Sequence, residues 1–361
     1  VTGVNNRLKK LRAKFAGNEI DAMFVTQSEN RRYLSGFDGS SGFLLISPQK
    51  AVLATDFRYT EQAVSEAPDF EILRIANNIN DWFPGLIAEM SVSRVGFEAS
   101  DVSFQFYRQL EDALKKKKAP VNLVPLNGIV EAVRSVKQAD EIRLIEKASS
   151  ITDAAYESIA PQVKPGVTEK QIAWELEKSL RENGSQGLAF EIIVASGPRA
   201  ALPHAKPTDR VIEPGDTVVI DMGARYAGYA SDLTRTLCAG RPDATFKRVY
   251  GTVLRAQREA MAMIREGAMG QAADRIARKI ISQAGYGEAF GHALGHGVGL
   301  AAHELPRLSP KSEDKLANRM VFTVEPGIYL SGWGGVRIED TAVMENGKAR
   351  PLTRSVKADY A

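Results

Sequence analysis

Val218-Val219-Ile220-Asp221 begins, and Gly335-Val336-Arg337-Ile338-Glu339-Asp340 ends, the stretch on which the reading of this chain turns. The first is an apolar strand closing on an acid. In the second, alternation puts Arg337 and Glu339 on one face and Ile338 on the other. Between them lies Asp232, eleven residues beyond Asp221 across Arg225-Tyr226-Ala227-Gly228-Tyr229, a segment suited to a hairpin turn. Glu325 ends the apolar run Val321-Phe322-Thr323-Val324 just before Pro326-Gly327. An acid on an inward sheet face is costly unless it is paired or binds a metal. For Glu339 alone the choice is between a salt bridge to Arg337 and a metal. For Asp221 and Asp232 alone, a turn cap and a surface acid are the alternative.

The histidines narrow that choice. Gly291-His292-Ala293-Leu294-Gly295-His296-Gly297-Val298-Gly299-Leu300-Ala301-Ala302-His303-Glu304 holds three of the four histidines in the chain. Glycines on both sides of His296 let the backbone approach something that a side chain would obstruct. The fourth, His204, sits in the turn-rich Ser196-Gly197-Pro198-Arg199-Ala200-Ala201-Leu202-Pro203-His204, open to a structural or a binding role. Asp221, Asp232, His296, Glu325 and Glu339 together offer four carboxylates and an imidazole. That set suits a pair of divalent cations of hard or borderline type, such as manganese, cobalt or zinc.

Outward from this stretch, 361 residues favour two domains over one core. Forty-seven basic residues against 44 acidic, a net charge of +3, give no ground for nucleic acid or a membrane as partner. Lys115 to Lys118 reads as the solvated end of a helix. Cys238 is the single cysteine, so no intrachain disulfide forms and a reducing compartment is expected. The start carries no apolar core of signal-peptide length, and no apolar run is long enough to span a membrane. A cytoplasmic location is the default expectation.

Helical spacing of Leu8, Leu11 and Phe15 predicts an amphipathic helix over 6–15. Strands are expected at 21–26, 42–47, 51–55, 70–75 and 94–97, and helices at 57–66, 81–90 and 104–117, giving an α/β layer. The boundary is placed at 127/128. Beyond it, a long helix is expected from Ile142 to Ile159. Another opens at Thr168, where Thr168 and Gln171 have capping-box spacing. Strands at 190–195 and 217–222, helices at 245–266 and 270–284, and a strand-rich final third follow.

These residues resemble the metal-dependent proline-specific peptidases, the group of prolidase and aminopeptidase P, which share the pita-bread fold with methionine aminopeptidase. The resemblance covers Val130 to Thr353, and more weakly Asn30-Arg31-Arg32-Tyr33-Leu34-Ser35-Gly36-Phe37. It implies an α/β (α+β) chain: a creatinase-like N-terminal domain over 1–127 and a pita-bread catalytic domain over 128–361. By the family pattern Asp221 chelates one metal, His296 and Glu325 hold the other, and Asp232 and Glu339 bridge. His204, His303 and Glu325 are then the catalytic candidates, and Arg337, Arg307 and His292 the substrate-binding ones. The implied cofactor is two divalent ions, manganese first, with cobalt or zinc as alternatives. The implied reaction is hydrolysis before proline by a metal-activated bridging water, as an Xaa-Pro dipeptidase. The alternatives are an aminopeptidase acting on Xaa-Pro-Yaa peptides and, more remotely, an inactive binding protein. Partners would be small peptides with proline second and, as the family is organised, a second copy in a homodimer.

Overall fold

The computed structural model describes residues 2–76, 78–358 and 360; Val1 and Ala361, the outer ends of the two expected domains, lie outside the described residues. By its packing the chain divides into two units, Val1–Arg134 and Ser135–Ala361. The division falls after the expected 127/128 because a helix that the sequence did not announce, Ile129–Ser135, is tied into the first unit. Its Arg134 donates from Nη1 to Asn30 Oδ1 at 2.7 Å, and its Glu131 accepts from Asn30 Nδ2 at 2.7 Å.

The first unit carries one six-stranded sheet. Its strands are β1 (Ala22–Val25), β2 (Phe43–Ile46), β3 (Ala51–Thr55), β4 (Glu71–Arg74), β5 (Arg94–Glu98) and β6 (Asn122–Leu126), in the order β4-β3-β2-β1-β5-β6. The β1–β2 and β2–β3 pairs are antiparallel, while β3–β4, β1–β5 and β5–β6 are parallel. Helices Ile79–Met90 and Phe104–Lys116 cover one face, burying Phe83, Leu86, Ile87, Leu110 and Leu114 against Phe24, Val95 and Phe97. Two further elements were not anticipated. Helix Ser28–Ser35 is too polar to show a periodic stripe, and its Gln27 cap accepts from Asn30 N. Strand β6 contains Pro125, which a strand tolerates here because β6 lies at the sheet edge.

The second unit carries a three-stranded and a five-stranded sheet, each backed by a pair of helices, and two two-stranded ribbons. Strands β7 (Ile193–Ser196), β8 (Thr217–Met222) and the short hairpin β9 (Arg225–Tyr226) and β10 (Tyr229–Ala230) are followed by β11 (Leu233–Cys238). The order β11-β8-β7 is antiparallel throughout. Helices Ala139–Ile159 and Glu169–Glu182 pack Ile151, Tyr156, Leu176 and Leu180 on Val218, Ile220, Met222 and Leu233. The Thr168–Gln171 capping box forms as its spacing indicates.

The second sheet runs β13-β12-β14-β17-β18, from β12 (Gly295–Gly297), β13 (Glu304–Leu308), β14 (Val321–Val324), β17 (Asp340–Glu345) and β18 (Lys348–Pro351). Beside it β15 (Gly327–Leu330) pairs with β16 (Gly334–Arg337). Helices Ala244–Met263 and Gly270–Gln283 place Phe246, Val253, Ala273 and Ala277 over Phe322, Val324, Val336 and Ile338. Among the described residues, no helix is long and apolar enough to cross a membrane.

Candidate metal centre

Strand alternation delivers the site. Val218, Ile220, Met222 and Leu233 face the first helix pair, so Asp221, Asp232 and Thr234 leave the opposite face. Phe322, Val324, Val336 and Ile338 face the second pair, so Thr323, Glu325, Arg337 and Glu339 do likewise. In the β8–β11 register Thr234 stands directly across from Asp221. Glu339 lies just past β16, its N–H bonded to Thr234 O at 3.0 Å. What the glycines around His296 admit is neighbouring backbone. A Cβ on Gly295 would lie 2.0 Å from Thr323 O, and one on Gly297 would lie 2.1 Å from Leu305 O.

The groups converge. Donor atoms of Asp232, His296 and Glu339 lie within 4.8 Å of one another. His296 Nε2 is 3.2 Å from Glu325 Oε1 and 3.7 Å from Asp232 Oδ2. His296 Nδ1 meets Gly297 O at 3.1 Å; a carbonyl only accepts, so Nδ1 carries the proton and Nε2 is turned to the carboxylates. Asp221 joins through Arg337, whose Nη2 donates to its Oδ2 at 2.7 Å.

This removes one of the two alternatives open for Glu339. Arg337 does not pair with Glu339, which instead accepts from Thr234 Oγ1 at 2.6 Å. Every guanidinium nitrogen of Arg337 is engaged: Nε to Thr234 Oγ1, Nη1 to Tyr329 OH and Pro203 O, and Nη2 to Asp221. As a substrate-binding group it is therefore already committed.

Electrostatics mark the cluster as unfinished by protein groups alone. Burial, reinforced by Glu339, Asp221 and Glu325, holds the Asp232 carboxyl well above the usual carboxylate range. Burial, then Glu325 and Asp221, does the same to Glu339. Asp221 is raised by burial despite Arg337. Burial also pushes Glu325 up, but its hydrogen bond to His296 and that imidazole's charge more than cancel it, so Glu325 is lowered. His296 is raised in return, Glu325 outweighing the effect of burial. Asp221 Oδ1 is buried with no hydrogen-bond partner among the described residues. Like charges packed away from water, with an orphaned carboxylate oxygen among them, fit a site for divalent cations.

The remaining candidates take three kinds of place. His303 stacks on His296, ring centroids 3.9 Å apart, and is exposed. His204 is exposed in its turn and bears electrostatically on His292 and His303. His292 is different from both. Its Nδ1 meets Ala293 O at 2.8 Å and its Nε2 meets Tyr329 OH at 2.9 Å. Both ring nitrogens are thus engaged within the chain, one of them by Tyr329. Arg307 is exposed, and opposite His296 in the β12–β13 register. Residues directly opposite share a face, so its side chain leaves the sheet on the side of His296. Three residues of the site were missed: Thr234, Thr323 and Tyr329. Thr323 accepts from His296 N and donates to Glu325 Oε1, both at 3.1 Å. The signal was available for the threonines, since each stands two residues from a site acid on the same strand face.

Paired sheets whose inner faces bring carboxylates and an imidazole together define a metal-dependent hydrolase. Residues 143–346 match metallopeptidase family M24, and residues 7–136 match the creatinase/prolidase N-terminal domain. The chain is 36% identical to an Xaa-Pro dipeptidase of Pyrococcus horikoshii, over 98% of each chain. Its fold is similar to that of an Xaa-Pro dipeptidase from Bacillus anthracis, with TM-score 0.95 and 40% identity over 98% of this chain and 99% of that one. An X-Pro aminopeptidase from Thermotoga maritima is similar at TM-score 0.88 and 37% identity, over 98% and 99%. The chain belongs to metallopeptidase family M24, with a creatinase/prolidase-type N-terminal domain ahead of the pita-bread domain, and is a metallopeptidase.

Proposed function

We propose that this metallopeptidase hydrolyses the peptide bond preceding proline as an Xaa-Pro dipeptidase, with Asp221, Asp232, His296, Glu325 and Glu339 holding two divalent cations. The oxygen-rich donor set suits manganese, with cobalt or zinc as substitutes. When bound, such ions polarise the scissile carbonyl and lower the pKa of water enough for attack near neutral pH. Glu325 is the group to take the proton of the attacking water at a carboxylate oxygen and deliver it to the leaving proline nitrogen. His303, stacked on His296, and His204 face the oxyanion as imidazole donors. Arg337 orients Asp221 and, through Tyr329, His292. Tyr329 accepts from Arg337 Nη1 and donates to His292 Nε2, because His292 Nδ1 already carries the proton given to Ala293 O.

The dipeptidase reading is carried by Arg307. Among the described residues its guanidinium makes no hydrogen bond or ion pair, while its strand position puts it on the His296 face. It can therefore receive the free carboxylate of a dipeptide, which a longer peptide lacks at that place. The likeness to the Thermotoga maritima aminopeptidase favours the second reading, cleavage of Xaa-Pro-Yaa. Metal-reconstituted protein is to be assayed on Leu-Pro and Leu-Pro-Gly. Leu-Pro is expected to be cut faster, and Arg307→Ala to raise its KM about ten-fold, the size of one charge-assisted contact, while sparing Leu-Pro-Gly. A clear preference for the tripeptide hands the assignment to the aminopeptidase; no cleavage of either with any of the three metals ends the proline reading.

A further inference from the structure

We propose that the buried Lys137–Glu304 ion pair is a positioning device that holds the His303 imidazole against His296; the inference rests on His303 facing substrate as described above. The two side chains are 0% and 2% exposed, and neither belongs to the carboxylate cluster. A lysine so deeply buried is rare unless paired. A buried pair adds little net stability over apolar packing, so its presence points to geometry rather than to adhesion.

The geometry is explicit. Lys137 is fixed at its backbone, its N–H bonded to Arg319 O at 3.0 Å, while Val136 bridges Met320 at the entry to β14. Its Nζ donates to Glu304 Oε1 and to Ser135 O. Glu304 opens β13, and its carboxylate fills the inside of the turn that runs back to Gly299. Oε2 accepts from Ala301 N, and a Cβ on Gly299 would lie 2.5 Å from Oε1, so the turn closes directly on the carboxylate. The other limb is held by Ala230 N to Gly299 O at 2.7 Å and Arg225 Nη1 to Leu300 O at 2.9 Å.

His303 sits between these two anchorages. Glu304, the first residue of β13, turns in to Lys137, while His303, in the bend immediately before it, lies on the ring of His296. Among the described residues, no hydrogen bond holds the His303 ring itself. Its place is set by the backbone of the turn, and the turn is shaped around Glu304 and the ammonium that neutralises it.

Two variants test this, Glu304→Gln, which keeps an acceptor for Ala301 N–H, and Lys137→Met/Glu304→Gln, which removes both charges. Histidine-selective 15N labelling of the zinc-loaded protein resolves four rings, the chain having four histidines, with His303→Ala giving the assignment. The folded variants are expected to keep wild-type metal content and His204 resonances but to shift and broaden those of His303. Their kcat on Leu-Pro should fall about ten-fold or more with little change in KM, the cost of a misplaced group. Unmoved His303 resonances with normal kcat in a folded variant overturn the proposal, as does loss of metal. So does an unfolded Glu304→Gln beside a double variant of normal turnover and resonances, since the pair would then serve the fold alone. If the wild type fails to cleave Leu-Pro, the resonances still decide the positioning, and only the functional reading falls.

Discussion

Replacing Asp232 with asparagine should stabilise the metal-free protein while destroying its response to metal. The Asp232 carboxylate has one ionic partner within 4 Å among the described residues, His296 Nε2 at 3.7 Å, and Glu339 has an oxygen within 4.8 Å of it. Two full charges at that distance repel by about 3.5 kcal/mol at an effective dielectric of 20. The protein escapes part of this by protonation, which is why burial and the neighbouring acids hold Asp232 well above the usual range. The relief on removing the charge is therefore smaller, about 1–3 kcal/mol, with the shape of the side chain unchanged. At about 2–4 °C per kcal/mol for a domain of this size, metal-free Asp232→Asn should melt several degrees above metal-free wild type. Metal at a hundred times its Kd adds about 2.7 kcal/mol to the wild type, and the variant should lose most of that gain together with turnover. The assay is thermal unfolding by circular dichroism with chelator and with saturating manganese or zinc. If the metal-free variant melts at or below the metal-free wild type, the acids do not repel in the fold and the cation-site reasoning fails.

Arg337→Lys exchanges a fork that reaches Asp221, Tyr329, Thr234 and Pro203 for a single point charge. Metal-free stability should drop by about 3–5 kcal/mol if Asp221 is left uncompensated, and by less with metal present; equal losses in both states would show that Asp221 does not depend on the guanidinium. His303→Ala should lower kcat about a hundred-fold, as loss of an oxyanion donor does, and leave metal affinity nearly as it was. Calorimetric titration showing lost metal would make His303 a ligand instead.

Asp221 and Glu325 stood out because each ends an apolar run, Val218-Val219-Ile220-Asp221 and Val321 to Glu325; Asp232 and Glu339 have no such local mark and were singled out with the rest of the set. The helix periods at 142–159 and 104–117 were likewise legible locally, and appear as Ala139–Ile159 and Phe104–Lys116. What local pattern left open was long-range pairing. Arg337 shares a face with Glu339, so spacing allowed either a salt bridge or a metal for that acid, and the approach of β16 to β8 gives the guanidinium to Asp221. No local pattern carries that register. Element edges also moved: the helix expected at 57–66 begins at Thr60, where a polar first turn offers no stripe, and the strand expected at 190–195 becomes Ile193–Ser196. Tyr329, in Gly327-Ile328-Tyr329-Leu330, carries no local mark in the sequence, and only its partners distinguish it.

The protein's own hydrogen bonds say which atoms are reserved. Thr234 Oγ1 accepts from Arg337 Nε and so spends its single proton on Glu339 Oε2; Thr323 Oγ1 accepts from His296 N and spends its own on Glu325 Oε1. Arg337 takes Asp221 Oδ2. In each of these three carboxylates, hydrogen bonds from the described residues reach one oxygen, and the other receives none. A fold selecting only for burial would pair both oxygens, since an unmet buried acceptor costs about 1–3 kcal/mol. Holding one oxygen fixes the plane of the carboxylate; leaving the other bare aims it. Three acids aimed in this way, from β8 and from just past β14 and β16, fit the gripping of cations, and Thr234, Thr323 and Arg337 are the parts that do the aiming.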